Sequence, residues 1–424
     1  MAFSNDKRKL LTNFFSLSSV EAANYIFPLL TLPYLVRILG PDKFGLIAFA
    51  QAFAQYFVLI TDYGFNLSAT RSISISREDR EKVNQIFSNV IFIKFIFMLA
   101  SFCILVTVTA LVPRFRQDFL LYVYSFGAVV GSVLFPIWFF QGMEKMKVIA
   151  GLNFLAKLVF VLAIFIFIKK QQDFIYVPLI NSLGFMVSGL VSLALVFARF
   201  KIRFQKPSLR AMGFQLKDGW HVFISSAAIS LYTVSNTFIL GLLTNNTIVG
   251  YYSAAERVIR SSQRMLTPIS QTLYPHISKL VADSQGKALA FIKKALVLIG
   301  GGSFAVSLGI FILAELIVNI FLGAQFRESV YVLRILAFLP FIIAVSNIFG
   351  IQTMLTFNMK EAFSKIIVTA GFINIPLALI LVPFFKHIGM AVSVLVTELF
   401  VATSMFVYLS GKGLFRREVA YEKA

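Results

Sequence analysis

The run NQIFSNVIFIKFIFMLASFCILVTVTALV at 84–112 carries a single charge, Lys94, in 29 residues. A helix needs about 20 apolar residues at about 1.5 Å rise to cross the roughly 30 Å of bilayer hydrocarbon. The stretch therefore reads as a membrane-crossing helix. Working outward, eleven comparable runs share the chain with it. The twelve lie near 12–36, 43–65, 84–112, 117–141, 148–168, 174–198, 216–243, 247–275, 291–322, 328–356, 362–384 and 388–410. Most connections are short, so neighbouring helices are expected to run antiparallel.

Composition supports the bilayer over water. Charged residues make up 14% of the chain and hydrophobic ones 58%, whereas soluble domains average about 25% charged. This excludes a soluble enzyme, a disordered regulator and a disulfide scaffold. The lone cysteine, Cys103, lies inside the quoted run, and His221, His276 and His387 are too scattered for a metal site. No phosphate loop, nucleophile motif or long extramembrane domain is visible, so no cofactor, no metal and no enzymatic chemistry are expected. The basic excess, 39 Lys and Arg against 19 Asp and Glu, would suggest nucleic acid in a soluble protein. Here it sits mostly between the apolar runs, and no nucleic-acid partner is expected.

The start NDKRKLLTNFFSL resembles the basic lead of a signal peptide. The run behind it carries Glu21 and Asn24 and continues past Pro33 with no small-residue cleavage site, so it reads as a retained first helix. With the N-terminus in the cytoplasm, 25 Lys and Arg fall in cytoplasmic segments, 9 on the other side and 5 inside spans. Cytoplasmic loops are enriched in such residues, so both termini are expected inside.

The basic connection FARFKIRFQKPSLRAMGFQLK at 197–217 divides the chain into halves of six spans each. The expected organisation is an N-terminal lobe over 1–198, a basic cytoplasmic linker over 199–215, a C-terminal lobe over 216–410 and a cytoplasmic tail over 411–424. FGLIAFAQ at 44–51 and VGYYSAAE at 249–256 share Gly and Ala at an offset of 205, which also carries position 12 to 217. Duplication is the reading: two lobes about an axis along the membrane normal, with substrate near the midplane. Nine of the twelve prolines (Pro28, Pro33, Pro136, Pro178, Pro268, Pro275, Pro340, Pro376 and Pro383) lie in or at the ends of spans. They predict kinks, and Gly300-Gly301-Gly302 predicts a soft point in the ninth span. Gly127 and Gly131 form a GxxxG expected to pack closely on another helix.

The charges inside spans are what a bilayer should reject. Each costs about 2.5–3.5 kcal/mol at a helix centre, so five buried cations need protein or water around them. Arg257, Arg260 and Arg264 recur at i, i+3 and i+7 and fall within roughly 60° of one another. Guanidinium groups bind phosphate in bidentate fashion and stay charged when desolvated. The functional reading is an anion track facing a cavity between the lobes. The structural alternative has Arg264 reaching the surface and Arg260 paired with Glu256 one turn earlier. Lys94 and Lys157 sit near mid-span in the first half and are candidate cations from the other lobe. The acidic set is Glu21, Asp62, Glu256 and Glu398, with Asn24, Gln51 and Gln55 as polar companions on the same faces. These carboxylates are read as counter-ions to the basic groups, with proton or sodium coupling as the alternative.

Two strings carry a family resemblance. LPYLVRILGPDKFGLIAFAQAFAQYFVLITDYGFNLSATR at 32–71 resembles the N-terminal signature of the polysaccharide-transporter family, the Wzx-like O-antigen flippases. LYTVSNTFILGLLTNNTIVGYYSAAERVI at 231–259 resembles that family's seventh and eighth helices. The resemblance implies membership of the multidrug/oligosaccharidyl-lipid/polysaccharide exporter superfamily. The fold it implies is all-α and polytopic, with twelve transmembrane helices in two six-helix lobes. The implied function is translocation of undecaprenyl-diphosphate-linked oligosaccharide from the cytoplasmic to the periplasmic leaflet of a bacterial inner membrane. The lipid bilayer, and a polysaccharide polymerase and ligase, would be its partners. A cationic chamber would suit the diphosphate, and a lateral gap would let the polyprenyl tail trail in lipid. Two alternatives are a multidrug cation antiporter of the same superfamily, which five buried cations oppose, and a membrane-bound polymerase or ligase, which the short external loops oppose.

Overall fold

The computed structural model describes the backbone of residues 2–264 and 266–414; side chains at 2–26, 28–29, 225, 228–229, 231–233, 267–268 and 271 lie outside the description. Among the described residues the chain is helical apart from short connections and contains no strand. In hydrocarbon every backbone N–H and C=O must find its partner within the protein, and a helix meets that demand segment by segment. Eight helices are long and apolar enough to cross a membrane by length and composition. The chain is a multi-pass membrane protein.

Two of the eight are much longer than a bilayer is thick. Leu30–Ile75 has 46 residues and Lys360–Gly411 has 52, against the roughly 20 that one crossing needs. Each contains a break. In the helix Ala2–Asp62, Gly40 adopts φ 67° and ψ 174°, a left-handed conformation that glycine takes without steric cost, and Pro41 follows it. In Lys360–Gly411 the break is Lys386, at φ 52° and ψ −128°. There the chain reverses so sharply that a Cβ on Gly389 would lie 2.4 Å from the carbonyl oxygen of Leu381.

Other expected spans are subdivided. The fourth breaks at Phe135-Pro136, between Phe119–Leu134 and Ile137–Gly142, where proline cannot continue the hydrogen-bond ladder. The eighth divides into Asn246–Arg264 and Thr267–Asp283. The tenth becomes Ser329–Leu336, Leu339–Asn347 and a π-helical turn at Ile348–Leu355. The triple glycine produces no break, for Gln285–Ile312 runs helical through it.

The chain separates into two compact units: Met1–Leu39 with Leu46–Ala227, and Gly40–Gly45 with Ala228–Ala424. The division at 227/228 falls inside the helix Leu209–Thr233, beyond the basic linker. The start of this helix packs within the first unit. Phe223 stacks on Tyr63 at 4.8 Å between ring centroids, and a Cβ on Gly219 would lie 3.1 Å from the Tyr63 carbonyl oxygen. The linker itself has no regular secondary structure from 201 to 208. Backbone N–H groups of Arg203, Gln205 and Ser208 donate to side chains of Asn84, Ser88 and Asn89, at 3.0, 2.9 and 3.1 Å. Three side chains of one helix thus satisfy a segment that has no ladder of its own.

The first unit is joined through small residues. Cβ atoms on Gly127, Gly131 and Gly189 would each lie 2.6 Å from a facing side chain: Ser182, Phe185 and Leu134 in turn. Glycine here lets Phe119–Leu134 and Tyr176–Phe200 approach backbone to backbone, the usual means of helix association where apolar burial gives no driving force.

The second unit contains a reciprocal contact. A Cβ on Gly45 would lie 1.8 Å from the carbonyl oxygen of Asn246, and one on Gly250 would lie 2.1 Å from that of Pro41. Position 41 plus 205 is 246 and position 45 plus 205 is 250, so both pairs obey the offset of the internal sequence match. A self-complementary contact of this kind is what a two-fold relation between equivalent segments produces. Neither glycine tolerates a side chain. Gly45→Ala and Gly250→Ala should each destabilise the purified protein by about 1–3 kcal/mol, the usual cost of overpacking. A thermal melt in detergent unchanged from the parent for both variants would refute the contact.

Candidate functional site

The helix Asn246–Arg264 carries the three arginines. One face is anchored by fully or almost fully buried Val249, Tyr252, Ala254, Ala255 and Ile259, and Ser329 Oγ donates to the Tyr251 carbonyl at 2.8 Å. The polar face is then held at fixed orientation. Arg257 is half-buried, and its guanidinium lies 4.9 Å from the centroid of the Phe44 ring. Phe44 meets Phe326 edge-on at 6.0 Å. A desolvated cation over an aromatic face gains on the order of 2 kcal/mol, which offsets part of the cost of holding the charge in an apolar helix bundle. Arg260 Nη2 donates to Glu256 Oε1 at 2.8 Å, and its side chain is 47% exposed. Arg264 is exposed.

Glu256 therefore has a cation one turn away and also accepts from the Tyr252 hydroxyl at 3.4 Å. These groups line a cavity of about 170 Å³ inside the second unit, together with Gln263, Asn236, Asn374, Thr397 and Glu398. Asn374 Nδ2 donates to Thr397 Oγ1 at 3.2 Å, and Thr397 Oγ1 donates onward to the Ser393 carbonyl at 2.7 Å. The buried Oδ1 of Asn374 has no hydrogen-bond partner among the described residues. Two carboxylates, one guanidinium and amide oxygens around one cavity can hold a proton or a small cation, or neutralise one another.

In the first unit the structure brings Lys94 and Asp62 together. Lys94 is 1% exposed; its Nζ donates to Asp62 Oδ1 at 2.8 Å and to the Ser132 carbonyl at 3.1 Å. Asn66 Nδ2 donates to the other Asp62 oxygen at 3.4 Å. Lys157 is half-buried in the helix Met146–Phe167, Gln51 is half-buried and Gln55 exposed. The side chains of Glu21 and Asn24 lie outside the described residues. Asn236, Tyr252, Gln263, Asn374 and Thr397 are functional candidates not expected from the sequence. Their signal there is faint: single amides or hydroxyls inside apolar runs, distant along the chain from the arginines they join.

Residues 10–281 match the family model described as polysaccharide biosynthesis protein. A relative from Escherichia coli (strain K12) named "Putative O-antigen transporter" is 39% identical, covering 96% of this chain and 99% of its own. One of the same name from Shigella dysenteriae is 30% identical, covering 93% and 98%. Among solved structures, the lipid II flippase MurJ in an inward closed conformation is similar, with a TM-score of 0.74 at 13% identity, over 93% of this chain and 87% of that one. An inward-facing multidrug resistance transporter of the MATE family, of the MOP superfamily, has a TM-score of 0.72 at 15% identity, over 92% and 96%. At such identities the likeness to these two structures concerns the fold alone.

The Lys94–Asp62 pair has a measurable consequence. Removing one partner of a buried pair strands the other charge at up to about 3–5 kcal/mol, while removing both costs less. Lys94→Met should therefore lower the melting temperature more than the double variant Lys94→Met/Asp62→Asn. Strictly additive losses would mean that the two groups do not interact.

Proposed function

The chain belongs to the polysaccharide biosynthesis protein family, and from that membership we propose that it is a flippase for lipid-linked glycan. It moves undecaprenyl-diphosphate-linked oligosaccharide repeat units, of O-antigen type, from the cytoplasmic to the periplasmic leaflet of a bacterial inner membrane by alternating access. It acts as a transporter and not as a catalyst. The observation that carries the reading is the set of three guanidinium groups on the single helix Asn246–Arg264, two of them exposed. A diphosphate offers the charge density and paired oxygens that such forks bind.

The topology that goes with this function has twelve spans and cytoplasmic termini. The helix Ala2–Asp62, broken at Gly40, and the helix Lys360–Gly411, broken at Lys386, each supply two crossings, which raises the eight apolar helices to ten crossings. The segments 209–243 and 246–283 supply the seventh and eighth. Polymerase and ligase proteins that receive the translocated repeat unit are its proposed partners.

Within this reading Arg257, Arg260 and Arg264, all on one helix of the second unit, hold the diphosphate. Lys94 is engaged by Asp62 and serves structure. Glu256 acts as the counter-ion of Arg260. Glu398, which shares the cavity of about 170 Å³ with the orphaned Asn374 oxygen, is the group proposed to take up a proton or sodium ion. A multidrug cation antiporter of the same superfamily is the second reading. The two carboxylates of that cavity favour it, and the exposed arginines oppose it.

The direct test is a leaflet-specific assay of lipid-linked glycan. Deleting the protein should trap repeat units on the cytoplasmic face, and normal surface glycan in a clean deletion would refute the function. Arg260→Ala should slow transfer by about 10–100-fold, the worth of a charge-assisted hydrogen bond. Arg260→Lys should retain part of the activity; full activity in both at parental expression would remove the phosphate contact. Collapsing the proton and sodium gradients should slow transfer, and Glu398→Gln should abolish that dependence. Transfer indifferent to both gradients would leave Glu398 without a coupling role.

A further inference from the structure

A second, larger cavity of about 490 Å³ lies inside the second unit, between Thr267–Asp283, Gln285–Ile312, Leu339–Asn347 and the π-helical turn Ile348–Leu355. Its volume falls within the roughly 300–1,000 Å³ of small-molecule sites. The wall is mainly aliphatic, built from Leu266, Ile269, Leu273, Ile299, Ile348 and Ile351 with a few further residues. The π-helical turn contributes Ile348, Ile351 and Gln352 to it. Such turns concentrate at functional sites because they cost hydrogen-bond quality in a helix.

The polar groups in this wall are largely tied to one another. Ser270 Oγ donates to Asn347 Oδ1 at 2.9 Å, and Gln352 Nε2 meets the Ser270 carbonyl at 3.0 Å and its hydroxyl at 2.9 Å. With these donors occupied, the space favours a hydrocarbon. The cavity also adjoins the arginines. Gln263 and Ile343 line both this cavity and the smaller one that holds Arg260. Along the helix, Gln263 stands between Arg260 and Arg264, so guanidinium groups flank the residue at which the apolar space begins.

A cationic helix face beside a mainly aliphatic cavity suits a molecule whose diphosphate is joined directly to a hydrocarbon. A prenyl diphosphate has that construction. In a phospholipid a glycerol diester intervenes between the phosphate and the hydrocarbon. We infer that this cavity binds the first isoprene units of the carrier lipid, so that the second lobe grips its cargo by head and proximal tail together. The inference rests on the flippase reading, and adds a tail site inside one lobe to the diphosphate contact.

The test uses the full-length protein in nanodiscs, titrated with geranyl diphosphate and with inorganic pyrophosphate. Geranyl diphosphate should bind at least about 10-fold more tightly, given that each buried methylene contributes about 0.8 kcal/mol. Ala344→Trp, which fills the cavity, should erase that advantage and leave pyrophosphate affinity unchanged. Because a large side chain there can impair folding, Ile351→Ala serves as the second variant and should weaken geranyl diphosphate alone, by about 3–5-fold. Pyrophosphate bound normally with no gain from the geranyl chain would overturn the tail site and spare the diphosphate reading. Failure of both ligands to bind, with Arg260→Ala silent, would overturn that reading itself. Displacement by dodecyl phosphate as effective as by geranyl diphosphate would reduce the cavity to an unselective alkyl groove. Gln352 Oε1, buried and without a hydrogen-bond partner among the described residues, is the group that a sugar hydroxyl would seek. Saturable binding of a soluble disaccharide that Ala344→Trp blocks would therefore replace the tail with the glycan and overturn the proposal.

Discussion

A charge inside hydrocarbon has nowhere to go but into protein, and the internal design of this molecule follows from that constraint. Lys94 is met by Asp62 and a backbone carbonyl, Arg260 by Glu256, and Arg257 by the face of Phe44. The three solutions differ in what they leave free. The lysine is enclosed and its pairing is mainly architectural. Arg260 keeps nearly half of its side chain exposed although its carboxylate is close. Charge neutralisation and ligand contact are compatible there, because a guanidinium has five donors and one carboxylate does not exhaust them.

Glycine provides the complementary device. With no hydrophobic driving force between helices in lipid, close backbone approach takes its place. The first unit uses it between Phe119–Leu134 and Tyr176–Phe200, at Gly127, Gly131 and Gly189. The second uses it at Gly45 and Gly250, where each glycine meets the carbonyl oxygen four residues before the other. This reciprocity gives structural meaning to a sequence match of a few letters. The glycines shared at an offset of 205 are the residues that have to be small for the equivalent segments to touch.

The candidate site groups are concentrated on the more polar helices of the second unit. The helix Asn246–Arg264 displays guanidinium groups, Tyr252 and Glu256, and one cavity with carboxylates and amides adjoins a larger one with aliphatic walls. A head that needs charge and a tail that needs hydrocarbon can be accommodated by neighbouring spaces along one helix.

What the sequence determined by itself is the class of molecule. Apolar runs, a low charge fraction and the bias of Lys and Arg between alternate loops follow from the energetics of bilayer insertion, which is local to each segment. The pairing of Arg260 with Glu256 was likewise legible, since i and i+4 share a helical face. The meeting of Lys94 with Asp62, 32 residues apart, was not, and neither was the seat of Arg257 on Phe44 or the sharing of one cavity by Asn236, Asn374, Thr397 and Glu256. The stacking of Phe223 on Tyr63, 160 positions apart in the chain, was equally illegible. Periodicity states which residues share a helix face, and only tertiary packing decides what that face meets.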